Sequence, residues 1–316
     1  MTSGPFRLTI AIPLYNEQEV LPELLRRTGA VLDRVPGGPH EIIIVDDGSN
    51  DATPIMLDAA ATTDARLVVV TFSRNFGHQA AFTAALDHAT GDAVVLMDGD
   101  LQDPPEMVVE FLRHYEAGYD VVYAQRIERK ESWLLRFSYF LFYRLAVGLA
   151  DLRLPLDAGD FGLMSRRVVD QIRAVPERNR YLRGLRTWAG FRQLGVPVER
   201  DARAAGTSKY SVFKLLRLAS DGIFAFSIVP LRAAALVGTL AIILSAAFAC
   251  YAVFAKFALH RSPAGFTALT ILVTFLSGIN IFFVGVIGEY VGRIYEEVKA
   301  RPVYVVARLQ RRSGGS

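Results

Sequence analysis

Short apolar runs and polar clusters alternate along the first 230 residues. Leu8–Ile12, Glu41–Val45, Leu67–Phe72 and Ala93–Met97 are rich in Val and Ile, and each stops at polar or turn-forming residues. Continuous apolar runs of this length read as strands buried on both faces. Between them, Glu17–Val35 sets Val20, Leu21, Leu24, Leu25 and Val31 on one helical side, and Ala52–Ala61 and His78–Ala89 also have helical spacing. A further strand is expected at Val121–Ala124. The alternation predicts a doubly wound α/β domain over 1–230, with parallel strands and right-handed crossovers.

The pattern changes after that. Ala233–Ala255 is a run of 23 residues without charge and Ser262–Gly288 one of 27. Each exceeds the roughly 20 residues a helix needs to cross a bilayer, so 231–290 is expected to form two transmembrane helices, at about 232–256 and 264–288, with a basic tail over 291–316. Two segments, 133–149 and 212–229, are apolar but interrupted by charge. Trp133, Phe137, Phe140 and Tyr143 beside Arg136 and Arg144 suit a helix lying in the headgroup region. An ordinary amphipathic core helix is the alternative for the same pattern.

Composition sharpens this picture at three points. The 52% of hydrophobic residues divides between a soluble core and the two long runs, which excludes a purely soluble protein. The charge balance, 35 basic against 32 acidic residues, has no long basic block and argues against nucleic acid as a partner. One cysteine, Cys250, excludes an intramolecular disulfide framework. Met1–Arg7 lacks the features of a signal peptide, and Arg293, Lys299, Arg301, Arg308, Arg311 and Arg312 outnumber the bases between the apolar runs. The positive-inside rule then puts the tail and the first 230 residues in the cytoplasm, as parts of a multi-pass protein of the inner (plasma) membrane. Arg308–Ser316 is expected to be disordered and to touch anionic lipid.

In doubly wound sheets ligands collect at the carboxyl ends of the strands. Here these ends carry Pro13 to Glu17, Asp46 to Ser49, Ser73 to Gly77 and Asp98 to Asp103. Asp98 and Asp100 are two residues apart, so in an extended chain they point to one side. With Gln102 they offer oxygen ligands for Mg²⁺ or Mn²⁺, a cation that takes its other ligands from water and a substrate diphosphate.

Ile12-Pro13-Leu14-Tyr15-Asn16-Glu17, Val45-Asp46-Asp47-Gly48-Ser49 and the stretch Asp98 to Glu106 resemble the signatures of family-two glycosyltransferases of the GT-A fold. More narrowly, the chain is similar to the polyprenyl-phosphate glycosyltransferases, which include dolichol-phosphate mannose synthases and bacterial enzymes that glucosylate undecaprenyl phosphate. Arg203 to Tyr210 and the two apolar runs resemble the second group most. The resemblance implies that Pro13, Tyr15, Asn16, Glu17, Asp47, Gly77, Asp98 and Arg126 bind the nucleotide-sugar donor, and that Asp98, Asp100 and Gln102 hold the metal. It implies further that Asp100 and Asp160 serve catalysis and that Arg203 and Lys209 meet the acceptor phosphate. The family pattern continues Gly159-Asp160-Phe161 with arginine where Gly162 stands here, which leaves open whether Arg166 or Arg167 supplies that charge. Tyr181 to Leu185 resembles a further family segment without an assigned role.

The implied reaction is inverting transfer of a hexose, UDP-glucose being the favoured donor, to a polyprenyl (undecaprenyl) phosphate at the cytoplasmic face, for modification of cell-envelope glycans. A phosphate monoester has a second pKa of about 6, so the acceptor needs no strong base. Asp160 then orients the acceptor or takes a residual proton. A GDP-mannose-dependent synthase is the alternative within the family, since Asp47 can pair with uracil or guanine. A transport or flippase subunit is the alternative of another class, although the apolar runs hold little beyond Asn280 to line a polar path. A homo-oligomer and a functional link to a flippase are further expected partners. A processive polysaccharide synthase would carry Gln-x-x-Arg-Trp, which is absent.

Overall fold

The computed structural model describes residues 4–126, 158–178, 180–198, 229–258 and 265–311. Within these, the strands are β1 (Leu8–Leu14), β2 (Glu41–Asp46), β3 (Leu67–Phe72), β4 (Ala93–Leu96), β5 (Val121–Arg126), β6 (Ala158–Ser165), β7 (Gln193–Val198) and β8 (Val306–Arg311). The helices are α1 (Leu21–Leu32), α2 (Thr53–Thr63), α3 (His78–His88), α4 (Met107–Glu116), α5 (Arg166–Ala174), α6 (Leu182–Trp188), α7 (Val229–Ala258) and α8 (Phe266–Val298). One compact unit takes its residues from 1–136, 152–209 and 301–316, and a second from 137–151 and 210–300.

The first unit is built on a mixed sheet in the order β7-β5-β6-β4-β1-β2-β3-β8. Its middle, β4-β1-β2-β3, is parallel, as the apolar runs predict. Successive side chains leave a strand on opposite faces, and the core divides accordingly. Ile10, Ile12, Ile42 and Ile44 pack with α1, α2 and α4. Ala11, Ile43, Val45 and Val68 pack on the other face with α3, α5 and α6. Pro13 is tolerated inside β1 because of where β4 stops. Ala11 accepts from Met97 N, and Pro13, two residues on, faces the same side beyond the end of β4, where no donor is needed.

The sheet departs from the expected all-parallel arrangement at both flanks. β6 runs antiparallel to β4 and β5, and β8 antiparallel to β3. The latter corrects the expectation of a disordered tail: Arg308 to Arg311 lie in β8, opposite Thr71 to Val68. Tyr304 stacks on Phe72 with ring centroids 5.1 Å apart and donates to Asp87 at 2.8 Å. Arg311 donates to the His88 carbonyl at 2.7 Å, and Arg308 pairs with Asp58. The first helix also starts later than Glu17, because Pro22 sits in its first turn, where its missing N–H costs nothing.

In the second unit both long apolar runs are helical, as α7 and α8. Among the described residues, Phe275–Val298 is long and apolar enough to cross a membrane, with mean hydropathy 1.5 and 6% of its apolar window buried. Ala234–Phe248 is a shorter apolar helix. Val237 of α7 and Phe275, Gly278 and Phe282 of α8 line one apolar hollow, so the two helices lie side by side. Leu240, Ile242, Leu244, Phe275, Ile281 and Phe282 are all at least half exposed, an apolar surface of a kind that water disfavours and lipid accepts. The segments 133–149 and 212–228 lie outside the described residues.

Candidate active site

β1 lies between β2 and β4, so the chain turns opposite ways on its two sides and leaves a crevice at the carboxyl ends of β1 and β4. Asp98-Gly99-Asp100 enters this crevice directly after β4. A Cβ at Gly99 would collide with Leu14 Cδ2 and come within 3.1 Å of the Pro13 carbonyl, so glycine lets the two aspartates lie against β1. Asp100 accepts from Gln102 N at 3.1 Å. Glu106, the last acidic residue of the stretch, is instead committed to Arg27 at 2.6 and 3.0 Å.

The loops after β1 and β2 are sewn together. Asn16, in a left-handed conformation at φ 56°, donates from its backbone to Ser49 Oγ at 2.9 Å and accepts from Asn50 N at 2.8 Å. Glu17 N donates to Thr53 Oγ1 at 3.1 Å. Tyr15 is exposed at the tip and Pro13 buried at the base.

Asp47, buried at the end of β2, accepts from Phe76 N at 2.6 Å and Gly77 N at 2.9 Å. Burial pushes its carboxyl up, and the two N–H donors offset only part of that. Asp47 thus fixes the turn into α3 as well as standing at the expected base-binding position. Gly77, at φ 99°, has open space where a side chain would be.

His78 opens α3, and its Nε2 lies 3.2 Å from Asp98 Oδ1. Burial works against protonation of His78, but Asp98, with the Asp160 charge behind it, outweighs this and raises its pKa. The sequence pattern did not single out His78; the signal available was its place as the first helical residue after a polar strand end. Among the described residues no three His, Cys, Asp or Glu side chains gather closely enough to hold a metal by themselves. Asp98 and Asp100, with Gln102 on the same loop, fit the lesser task of anchoring a hard cation whose remaining ligands are phosphate and water.

Asp160 lies on β6, buried, with both oxygens 2.7 Å from Arg183 Nε and Nη2. α6, which carries Arg183, is tied to α3 by Leu182 N donating to Gln79 Oε1 at 3.1 Å. Burial opposes the Arg183 charge, but Asp160 overcomes it and holds the guanidinium firmly protonated. Arg126 closes β5 opposite Val198. Arg166 donates to the Gly91 carbonyl at 2.8 Å and Arg167 pairs with Asp120, both at the opposite rim of the sheet. Neither therefore supplies charge beside Gly162. Arg203 and Lys209 lie outside the described residues.

Residues 9–173 match the model of the family described as Glycosyl transferase family 2. An uncharacterized glycosyltransferase of Bacillus subtilis (strain 168) is 40% identical over 307 residues, 97% of this chain and 95% of that protein. The SfII prophage-derived bactoprenol glucosyl transferase of Shigella flexneri is 36% identical over 306 residues, 96% of this chain and 99% of that one. Among solved structures, glucosyl-3-phosphoglycerate synthase of Mycobacterium tuberculosis in complex with Mn²⁺, UDP-glucose and phosphoglyceric acid is 18% identical, with a TM-score of 0.47, over 69% of this chain and 78% of that one. With more than half of its length matched by the family model and these relatives aligned almost end to end, the chain belongs to glycosyl transferase family 2.

Proposed function

We propose that the protein transfers glucose from UDP-glucose to a polyprenyl phosphate, the phosphate of bactoprenol, at the cytoplasmic face of the membrane. The observation that carries this reading is the extent of the likeness to a bactoprenol glucosyl transferase. It covers 96% of this chain and 99% of that protein, and so extends well beyond the central sheet.

In this reading the phosphate oxygen attacks the anomeric carbon, the bond from that carbon to the diphosphate breaks, and UDP leaves with the electron pair, inverting the configuration. Pro13, Tyr15, Asn16, Glu17, Asp47 and Gly77 hold the nucleotide, with Arg126 by the diphosphate. Asp98, Asp100 and Gln102 would hold a divalent cation, which would supply charge neutralisation for the leaving diphosphate. Asp160 acts by position: both of its oxygens are held by Arg183, and a largely ionised acceptor needs no base. Arg203 and Lys209 draw in the lipid phosphate.

A two-helix membrane hairpin belongs to the same proposal, and parity supports it. β8 follows α8 yet pairs with β3, so both flanks of the insertion end on one side of the bilayer and the number of crossings is even. If α8 crosses, α7 returns; its 30 residues exceed the roughly 20 required.

Membranes containing the protein, incubated with undecaprenyl phosphate and radiolabelled UDP-glucose, should move label into the organic phase. Label entering only from GDP-mannose would overturn the sugar, and label entering from no donor would overturn the reaction.

A further inference from the structure

Charge on α6 does not balance. Two arginines, Arg183 and Arg186, face the sheet beside Asp160, the one carboxylate among the described residues bonded to either. Spaced by three residues, they lie on one side of the helix. Arg183 uses its Nε and Nη2 edge to grip both oxygens of Asp160, yet its side chain is 33% exposed. Arg186 is 4% exposed. Its guanidinium rests 4.7 Å from the centre of the Tyr123 ring, and its own Nε and Nη2 have no hydrogen-bond partner among the described residues.

The cation–π contact accounts for the place of Arg186 but not for the empty edge. Each unmet buried donor costs about 1–3 kcal/mol, and the Nε and Nη2 edge is the one that matches two oxygens of a carboxylate. Tyr123 pairs with Gly162, which lies two residues along β6 from Asp160 and so on the same face. With no side chain at Gly162, nothing from that position stands between Asp160 and Arg186. Asp160 is also the carboxylate whose charge acts most strongly on Arg186, and burial still pushes that guanidinium down to about 10, leaving it charged at neutral pH.

We infer that Asp160 is shared: Arg183 leaves it to bind a phosphoryl group of the substrate, and Arg186 offers its vacant edge to the carboxylate so released. Arg183 is then a substrate-binding residue and Arg186 a positioning residue that keeps Asp160 in place. Before the exchange the three side chains carry one net positive charge, which favours an incoming phosphoryl group. That group is either the lipid monophosphate or the donor diphosphate, and this identity rests on the function proposed above.

The full-length protein in detergent, assayed with UDP-glucose and undecaprenyl phosphate, tests this. Arg183→Met should raise the KM of one substrate at least tenfold, and which substrate rises names the phosphate. Arg186→Met should lower kcat at least tenfold with both KM values within threefold of the parent. Arg186→Lys keeps the charge and the ring contact without the two-donor edge, so it should not restore kcat. Wild-type kcat in Arg186→Lys, or unchanged KM values for both substrates in Arg183→Met, would overturn the exchange. Failure of the transferase reading itself is separable, because inorganic pyrophosphate and phosphate should still raise the Tm of the parent and not of Arg183→Met; equal shifts in both would overturn the inference without any turnover.

Discussion

The two rims of the sheet treat buried polar groups differently. At the amino rim, Glu41 accepts from Thr9 Oγ1 at 2.7 Å and from Thr90 N and Oγ1 at 2.6 and 2.9 Å, while Gly91 N donates to Thr9 Oγ1 at 2.9 Å. Asp120 likewise accepts from Ser165 Oγ at 3.1 Å and from Arg167. On the crevice side, Asp46 Oδ2 and the Nε and Nη2 of Arg186 are buried with no partner among the described residues. An unmet buried group costs free energy that a fold can recover only from something outside itself. The polar groups named at the amino rim are thus met within the fold, whereas those named at the carboxyl rim are not.

That contrast can be broken by exchanging the outcomes. Asp98→Asn or Asp100→Asn should cut transfer of labelled glucose to lipid by about 10³-fold and leave the Tm within a few degrees; a collapse of Tm would assign the crevice aspartates to stability. Glu41→Ala strands two hydroxyls and an N–H, so it should cost about 3 kcal/mol in urea unfolding with kcat per folded molecule unchanged. Arg183→Lys keeps the charge but loses the paired bonds to Asp160, and a fall of about 30-fold in kcat/KM is expected. The smallest effect concerns pH. Arg186 has its folded pKa lowered by burial to about 10, so its charge destabilises the fold throughout the range below that and the cost fades as pH rises through it. Arg186→Met should accordingly exceed the parent in unfolding free energy at pH 7 to 9, with the gap narrowing above about pH 10; a gap constant with pH would mean the charge is not the cause.

How much was legible follows from what each feature asks of the sequence. The four central strands and the clusters after them could be read directly, because a parallel strand buried on both faces is a continuous apolar run ending where ligand chemistry begins. β6 could not: Ala158 to Ser165 includes two glycines and an aspartate, and its antiparallel place between β4 and β5 depends on pairing across the intervening chain. β8, with Arg308 and Arg311 among six residues, reads as a solvated tail until Phe72 and Tyr304 meet. Arg183 and Arg186 escaped for a related reason. An arginine on a short helix normally faces water, and only the tertiary fold reveals that one of these grips Asp160 and the other lies on Tyr123.

The pairing of β8 with β3 also sets an order of assembly. β3 is complete once Phe72 has been made, but the strand that covers its outer edge begins at Val306, beyond both apolar helices. Domains fold largely as they emerge during synthesis, so the catalytic sheet passes through a stage with β3 open along one side, and an open strand edge is a template for pairing with other chains. The open interval ends only after the ribosome has delivered α7 and α8. Closing the sheet is thereby a late event in the life of the nascent chain, and the enzyme completes its sheet only when its two long apolar helices have already been made.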